Sequence, residues 1–342
     1  MSFDADLLVA GGGPAGLATA LLARRAGMSV AVVEPRADPI DKACGEGLMP
    51  GGLARLLALG VDPAGVPLHG IAYRAGRRCA HARFAAGPGR GVRRTTLQAA
   101  LHERAAQAGI AWVTGRVAGL RQDAHGVEAA GVRARWLVGA DGLHSRVRRE
   151  AGIASAAGAP ARFGQRRHHP VAPWSDLVEV WWSPHAEAYV TPVAPGLVGV
   201  AILHRRSGLG YETLLDGFPE LRQRLGDAPA GPVRGAGPLR RTVAARVRGR
   251  VLLVGDAAGY EDALTGEGVS LALNQAEAAV SALVSGDLAG YETQWRRRTR
   301  TYRLLTRALV LATSARPVRG AVVPLCVAVP PLFRGAVNVL AG

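Results

Sequence analysis

Short apolar runs closed by glycine or an acid recur along this chain, at residues 7–10, 29–33, 135–140 and 250–254. Runs of that length bounded by turn signals predict strands buried on both faces, as in a parallel sheet covered by helices. Between the first two, Leu17, Ala18, Leu21 and Leu22 repeat at helical spacing, and Gly27 ends the helix. A second helix is expected over Leu53, Leu56, Leu57 and Leu59, stopping at Gly60. A third runs from Arg94 through Leu97, Leu101 and Ala105 to Gly109, and a fourth from Val269 to about Val284. Further strands are expected at 110–113 and 126–129.

Residues 156–240 follow a different rhythm. Prolines punctuate them, and the alternating stretch 176–182 reads as a half-buried strand. Residues 189–191 and 197–202 flank Pro195-Gly196 and predict a hairpin. The expected architecture is therefore α/β with an α+β insertion. Residues 1–70, 91–155 and 241–300 form a discontinuous nucleotide-binding domain, into which 71–90 and 156–240 insert an antiparallel-sheet substrate domain. Residues 301–342 form a C-terminal helical tail.

Composition narrows the function classes. The 342 residues, 49% of them hydrophobic, can fill two cores. The net charge of +16 is almost entirely arginine, since Lys42 is the only lysine. These arginines are scattered and show no nucleic-acid motif, which argues against nucleic-acid binding. Attraction to anionic cofactors or lipid headgroups accounts for the charge better. Cys44, Cys79 and Cys326 are odd in number and lack CxxC spacing, so a reducing, cytoplasmic setting is expected. The opening residues carry no basic and apolar export segment, which points the same way. His168 and His169 have no metal-ligand spacing with another His or Cys, and no metal site is expected.

The first strand passes into its helix through Gly11-Gly12-Gly13-Pro14-Ala15-Gly16. In this turn Gly11 allows the sharp bend, Gly13 admits a pyrophosphate to the backbone, and Gly16 allows close helix–strand packing. Pro14 at the helix start costs no hydrogen bond. The helix N-terminus offers free N–H groups and partial positive charge to phosphates. Glu34 ends the second strand, placed to accept hydrogen bonds from a ribose diol, with Pro35 and Arg36 beside it. This is a dinucleotide site whose acid favours NAD or FAD over NADP.

Later strand ends choose between those two. Asp141 and Asp256 each follow a buried strand with glycine alongside, where ligands sit in such sheets. Gly139-Ala140-Asp141-Gly142-Leu143-His144-Ser145-Arg146-Val147-Arg148 resembles the GADGxxSxVR motif of the p-hydroxybenzoate-hydroxylase-like (group A flavoprotein monooxygenase) and geranylgeranyl reductase superfamily. Gly255-Asp256, followed by Gly266-Glu267-Gly268-Val269, resembles the closing motif of the glutathione-reductase-type FAD fold. The resemblance implies bound FAD, with Asp256 on the ribityl chain and the Gly266–Gly268 helix start facing the flavin N1–O2 edge. It implies that Arg94, on the helix that also carries Gln98, reaches the phosphates and that Val117 holds the adenine. Cys44-Gly45-Glu46-Gly47 and the Leu264-Thr265-Gly266-Glu267-Gly268 segment are similar to the geranylgeranyl reductase branch. The aromatic strand usual over that branch's isoprenoid tunnel is replaced here by Tyr189-Val190-Thr191-Pro192-Val193. Halogenases of the superfamily need a lysine in the substrate domain, and this chain has none there.

The implied activity is that of an FAD-dependent oxidoreductase reduced transiently by NAD(P)H. The first expected reaction is monooxygenation of an apolar small molecule. The alternative is reduction of isoprenoid double bonds, and a second alternative is a flavin-bearing sensor without turnover. Cys44, Glu46 and Glu267 are the acid–base candidates, and Trp181, Tyr189 and His168 the substrate-contact candidates. The apolar, arginine-punctuated tail reads either as a helical cap on the core or as a peripheral membrane dock.

Overall fold

A computed structural model describes residues 3–37, 39–158, 161–228, 230–264 and 266–342. Thr265 of the Gly266–Gly268 motif lies outside them. Five parallel strands form the core of the eight-stranded nucleotide-side sheet, in the spatial order Val251–Leu253, Val132–Gly139, Ala5–Ala10, Val30–Glu34, Ala111–Thr114. Chain order reverses beside the first strand, so the carboxyl ends of Ala5–Ala10 and Val132–Gly139 open the crevice where ligands bind in doubly wound sheets. Leu7, Leu8, Val9, Leu137, Val138, Leu252 and Leu253 are all fully buried, as expected for strands covered on both faces. The helices Pro14–Arg25, Arg94–Gln107 and Gly268–Ser285 supply the cover.

Seven strands build the second sheet, drawn from two parts of the chain. Its order is Arg234–Ala236, Phe163–His169, Leu197–His204, Ala186–Ala194, Val178–Trp182, Gly70–Ala75, Arg78–Arg83. All neighbours are antiparallel except Val178–Trp182 and Gly70–Ala75. Strand alternation sends successive side chains to opposite faces. Trp181, Ala188, Val190, Val200 and Ile202 pack under the helices Tyr211–Leu215 and Pro219–Leu225. Val180, Trp182, Tyr189 and Leu203 face the other way, toward Val310 and Val323 of the C-terminal helices.

The C-terminal region is three helices, Leu288–Ala312, Arg316–Ala328 and Pro330–Ala341. A tail beginning at 301 therefore divides one continuous helix. The boundary is invisible in sequence because no breaker falls there. The last two helices fold back over the second sheet, where Phe333, Val337 and Ala341 pack with Leu68, Ala80, Ala82 and Phe84. Arg319 is the anchor. It is buried, donates to the Ser183 carbonyl at 2.6 Å and bonds Glu187 Oε1 at 2.7 Å. Glu187 also pairs with the buried Arg162 at 2.9 Å. Arg319→Ala leaves a buried carboxylate short of one partner, a loss of about 3 kcal/mol for broken buried ion pairs. Limited proteolysis is expected to cut this variant first within residues 313–342, whereas wild type resists there.

Candidate active site

Each glycine of the first turn does a separable job. Gly11 has φ +111°, and a Cβ there would lie 2.5 Å from the Ala140 carbonyl oxygen, so the two strand ends meet only through glycine. A Cβ on Gly16 would sit 1.8 Å from the Gly11 carbonyl oxygen. At Gly13 the space is open, with the Arg94 guanidinium the nearest group at 3.9 Å. An anion entering there would meet the N-terminus of Pro14–Arg25, whose Gly13 cap has no side-chain partner. Gln98 braces the turn by donating to the Gly12 carbonyl, and Arg94 donates to Gln98 at 3.3 Å.

Glu34 is buried at its strand end. Its Oε2 accepts the Gly12 N–H at 2.9 Å, and its Oε1 accepts the Arg36 Nε at 2.6 Å. Asp141 Oδ2 accepts the Arg146 and Val147 N–H groups at 2.6 and 3.0 Å, while its Oδ1 is buried without a partner. Gly255 has φ +61° and donates its N–H to Gln275 Oε1 at 2.8 Å. Asp256 follows, its carboxyl pushed up by surrounding protein while Lys42 and Arg94 pull the other way. Gly266, Gly268 and Val269 complete the wall at the start of the Gly268–Ser285 helix. Val117 lines the same cavity from the loop after Ala111–Thr114, rather than from the strand itself.

These residues line one cavity of about 1550 Å³, larger than the roughly 300–1,000 Å³ of ordinary small-molecule sites. Gly11, Gly13, Pro14, Ala15, Glu34, Pro35, Arg36, Cys44, Gly45, Arg94, Asp141, Gly255 and Asp256 share it. Gly16 and Gln98 stand behind this wall. An open glycine turn under an arginine, an orphaned carboxylate oxygen and a free helix start suit the phosphates, hydroxyls and electron-rich edge of FAD.

The cavity continues past the nucleotide half. Tyr73, Phe163, Val180 and Tyr189 line it from the second sheet. Each C-terminal helix contributes a stripe at helical spacing: Leu305, Ala308, Leu309 and Ala312; then Val318, Ala321, Val322 and Leu325; then Phe333, Ala336, Val337 and Leu340. The sequence reading missed these walls. Their periodicity was visible, but an amphipathic stripe does not reveal whether it faces a core, a cavity or a lipid.

Several acid–base and substrate candidates take other places. Glu46, at φ +59°, accepts the Arg94 N–H on Oε1 at 2.8 Å and bonds His168 Nε2 through Oε2 at 2.7 Å. Arg166 bonds His168 Nδ1 at 3.0 Å, and since arginine only donates, the imidazole proton lies on Nε2. Glu46 nonetheless lines the cavity, with both oxygens engaged by the Arg94 N–H and the imidazole, while His168 stands behind it outside the cavity wall. Gly199 makes room for this contact, for a Cβ there would lie 2.7 Å from Glu46 Oε2. Trp181 is buried on the far face of its sheet and donates to Glu179 Oε2 at 3.0 Å, so it makes no cavity wall. Tyr189 does line the cavity, with its hydroxyl donated to the Leu264 carbonyl at 2.6 Å.

Cys44 remains in the cavity wall, its sulfur accepting the Glu46 N–H at 3.4 Å. Burial pushes that thiol up, with Arg94 opposing, so it holds its proton at neutral pH. Glu267 is buried at the helix start outside the cavity wall, its Oε1 has no partner, and burial pushes its carboxyl up to about 8. A carboxyl raised from its ordinary value contributes its full stability below the unfolded pKa and loses it as pH rises through about 8. Thermal melts are therefore expected to fall between about pH 4.5 and about pH 8, and Glu267→Gln to flatten that slope.

Comparison with known proteins agrees with this geometry. A family model described as "FAD binding domain" matches residues 4–196, more than half of the chain. The menaquinone reductase of Mycolicibacterium smegmatis is 27% identical, over 86% of this chain and 80% of that protein. The digeranylgeranylglycerophospholipid reductase of Methanosarcina acetivorans is 30% identical over 86% and 81%. The 6-methylpretetramide 4-monooxygenase of Streptomyces rimosus is 30% identical over 82% and 75%. Among solved structures, a flavoprotein/dehydrogenase from Cytophaga hutchinsonii superposes with a TM-score of 0.84 at 20% identity, over 98% and 92% of the two chains, which is a likeness of fold. The glycine turn, the two strand-end acids and the family match together make this chain a member of the FAD binding domain family, an FAD-dependent oxidoreductase.

Proposed function

We propose that this enzyme reduces a carbon–carbon double bond in a long, apolar, isoprenoid-type molecule. One observation carries the reading: the cavity that holds the FAD cradle runs on, unbroken, into an apolar gallery walled by the C-terminal helices, with Cys44 in its wall. A gallery lined by Leu309, Val322, Leu325 and Phe333 suits a chain of methylene and methyl groups, each worth about 0.8 kcal/mol per buried CH₂.

FAD, held by the Gly13 turn, Arg94, Asp141 and Asp256 and reduced by NAD(P)H, would supply the hydride. The protein's part is to orient and dry the double bond and to deliver a proton. Cys44 gives its proton to one alkene carbon as the hydride reaches the other, and water in the cleft returns a proton to sulfur. Glu46 and His168 hold the 44–47 loop at its position through the two bonds to the Arg94 N–H and the imidazole. The names of the Mycolicibacterium and Methanosarcina relatives, both reductases, support this choice over oxygenation.

The test is anaerobic turnover. With chemically reduced enzyme and a detergent-dispersed polyprenyl lipid, the expected product is heavier by two hydrogens and forms without oxygen. A product heavier by one oxygen, formed only in air, would refute the reading and favour the oxygenase.

A further inference from the structure

We infer that the C-terminal helices seat this enzyme on an anionic bilayer surface, with the apolar gallery opening onto the membrane. Of the twelve large hydrophobic residues exposed among the described residues, nine fall between Leu304 and Val339. Leu305, Val318, Leu325, Val329 and Leu332 are both exposed and part of the cavity wall, so the gallery surfaces within this patch. Leu311, Val327 and Val339 are exposed on the same three helices, outside the cavity wall. Contiguous apolar exposure of this kind marks an interaction surface.

Charge selects the occupant. Residues 293–342 contain nine arginines and no aspartate or glutamate. Arg297, Arg300, Arg316 and Arg334 are exposed, with no acidic side chain at salt-bridge distance among the described residues. A second copy packed face to face would oppose these arginines to themselves, whereas anionic headgroups neutralise them. By length and composition, the pair Leu288–Ala312 and Arg316–Ala328 matches a bilayer span only as one sharply bent unit. No single helix is long and apolar enough among the described residues, and the helices Leu288–Ala312 and Arg316–Ala328 meet at 118°. The 13 residues of Arg316–Ala328 and the 12 of Pro330–Ala341 span about 20 Å each, short of the roughly 30 Å hydrocarbon core. Apolar residues interleaved with arginine on short helices fit the interface plane.

The docking itself stands on these surface features. That the gallery takes its lipid directly from the bilayer rests on the reductase reading above. The experiment is flotation of the FAD-loaded protein with vesicles of phosphatidylglycerol and phosphatidylcholine, against phosphatidylcholine alone. Recovery with anionic vesicles is expected to exceed the neutral control about tenfold and to fall with salt. Leu311→Asp with Val339→Asp should abolish it while turnover of the detergent-dispersed lipid persists. Arg316→Glu with Arg334→Glu should erase the preference for anionic lipid. No flotation with either vesicle, or a dimer in light scattering that is lost in the Leu311/Val339 variant, would overturn the docking. Because flotation needs no turnover, a protein that floats without reducing lipid refutes only the reductase reading. One that reduces dispersed lipid without floating refutes only the docking.

Discussion

Gly13→Val is expected to give a folded protein that purifies without yellow colour. The position has no protein atom close enough to clash, the Arg94 guanidinium at 3.9 Å being nearest, so the apo fold should melt near the wild-type temperature. The valine side chain instead fills the space through which a pyrophosphate would reach the helix start. Loss of that approach should weaken FAD binding by at least about a hundredfold, which is about 3 kcal/mol, read as flavin absorbance per protein and by titration of apoprotein. Gly16→Val is the informative contrast. Its side chain begins 1.8 Å from the Gly11 carbonyl oxygen, so helix and strand must separate. This variant should lose both flavin and thermal stability. Full FAD occupancy in Gly13→Val would contradict the phosphate assignment.

Cys44→Ala should retain FAD and stability yet lose most lipid reduction, by about 10²–10⁴-fold in kcat, the usual weight of a positioned general acid. Few structural consequences are expected, because among the described residues the thiol's one hydrogen bond is accepted from the Glu46 N–H at 3.4 Å, while Glu46 is held independently by Arg94 and His168. The pH profile separates proton delivery from mere packing. Burial raises the thiol's pKa, so wild-type turnover should persist through neutral pH and fall only at alkaline pH, as the proton is lost. Cys44→Ser, whose hydroxyl does not ionise in that range, should keep a low rate without the alkaline fall. An unaltered profile in Cys44→Ser would remove Cys44 from the chemistry.

The nucleotide half was legible because its demands are local. A backbone at φ +111° beside a carbonyl 2.5 Å from any Cβ admits only glycine, so Gly11 announces itself. Glu34, Asp141 and Asp256 were readable for a related reason, since a strand end in a doubly wound sheet faces the ligand crevice. Glu46 does line the cavity, but the spacing of a CGEG loop does not reveal what its carboxylate meets. Its partners, the Arg94 N–H and His168, come from residues 48 and 122 positions away. Trp181 misled by alternation alone, which assigns residues to two faces without saying which one is the cavity.

By itself, the sequence determined the FAD cradle, the inserted sheet and the apolar, arginine-marked tail. Those follow from steric limits on single residues and from periods of 2 and 3.6, which short stretches of chain already contain. The tertiary structure alone decided what the tail does. Arg319 buried against Glu187, together with a 118° bend after Leu288–Ala312, folds the last two amphipathic helices back over the sheet, where one stripe walls the gallery and another stays exposed. Which stripe faces inward depends on contacts between residues more than a hundred positions apart, and no local pattern encodes that choice.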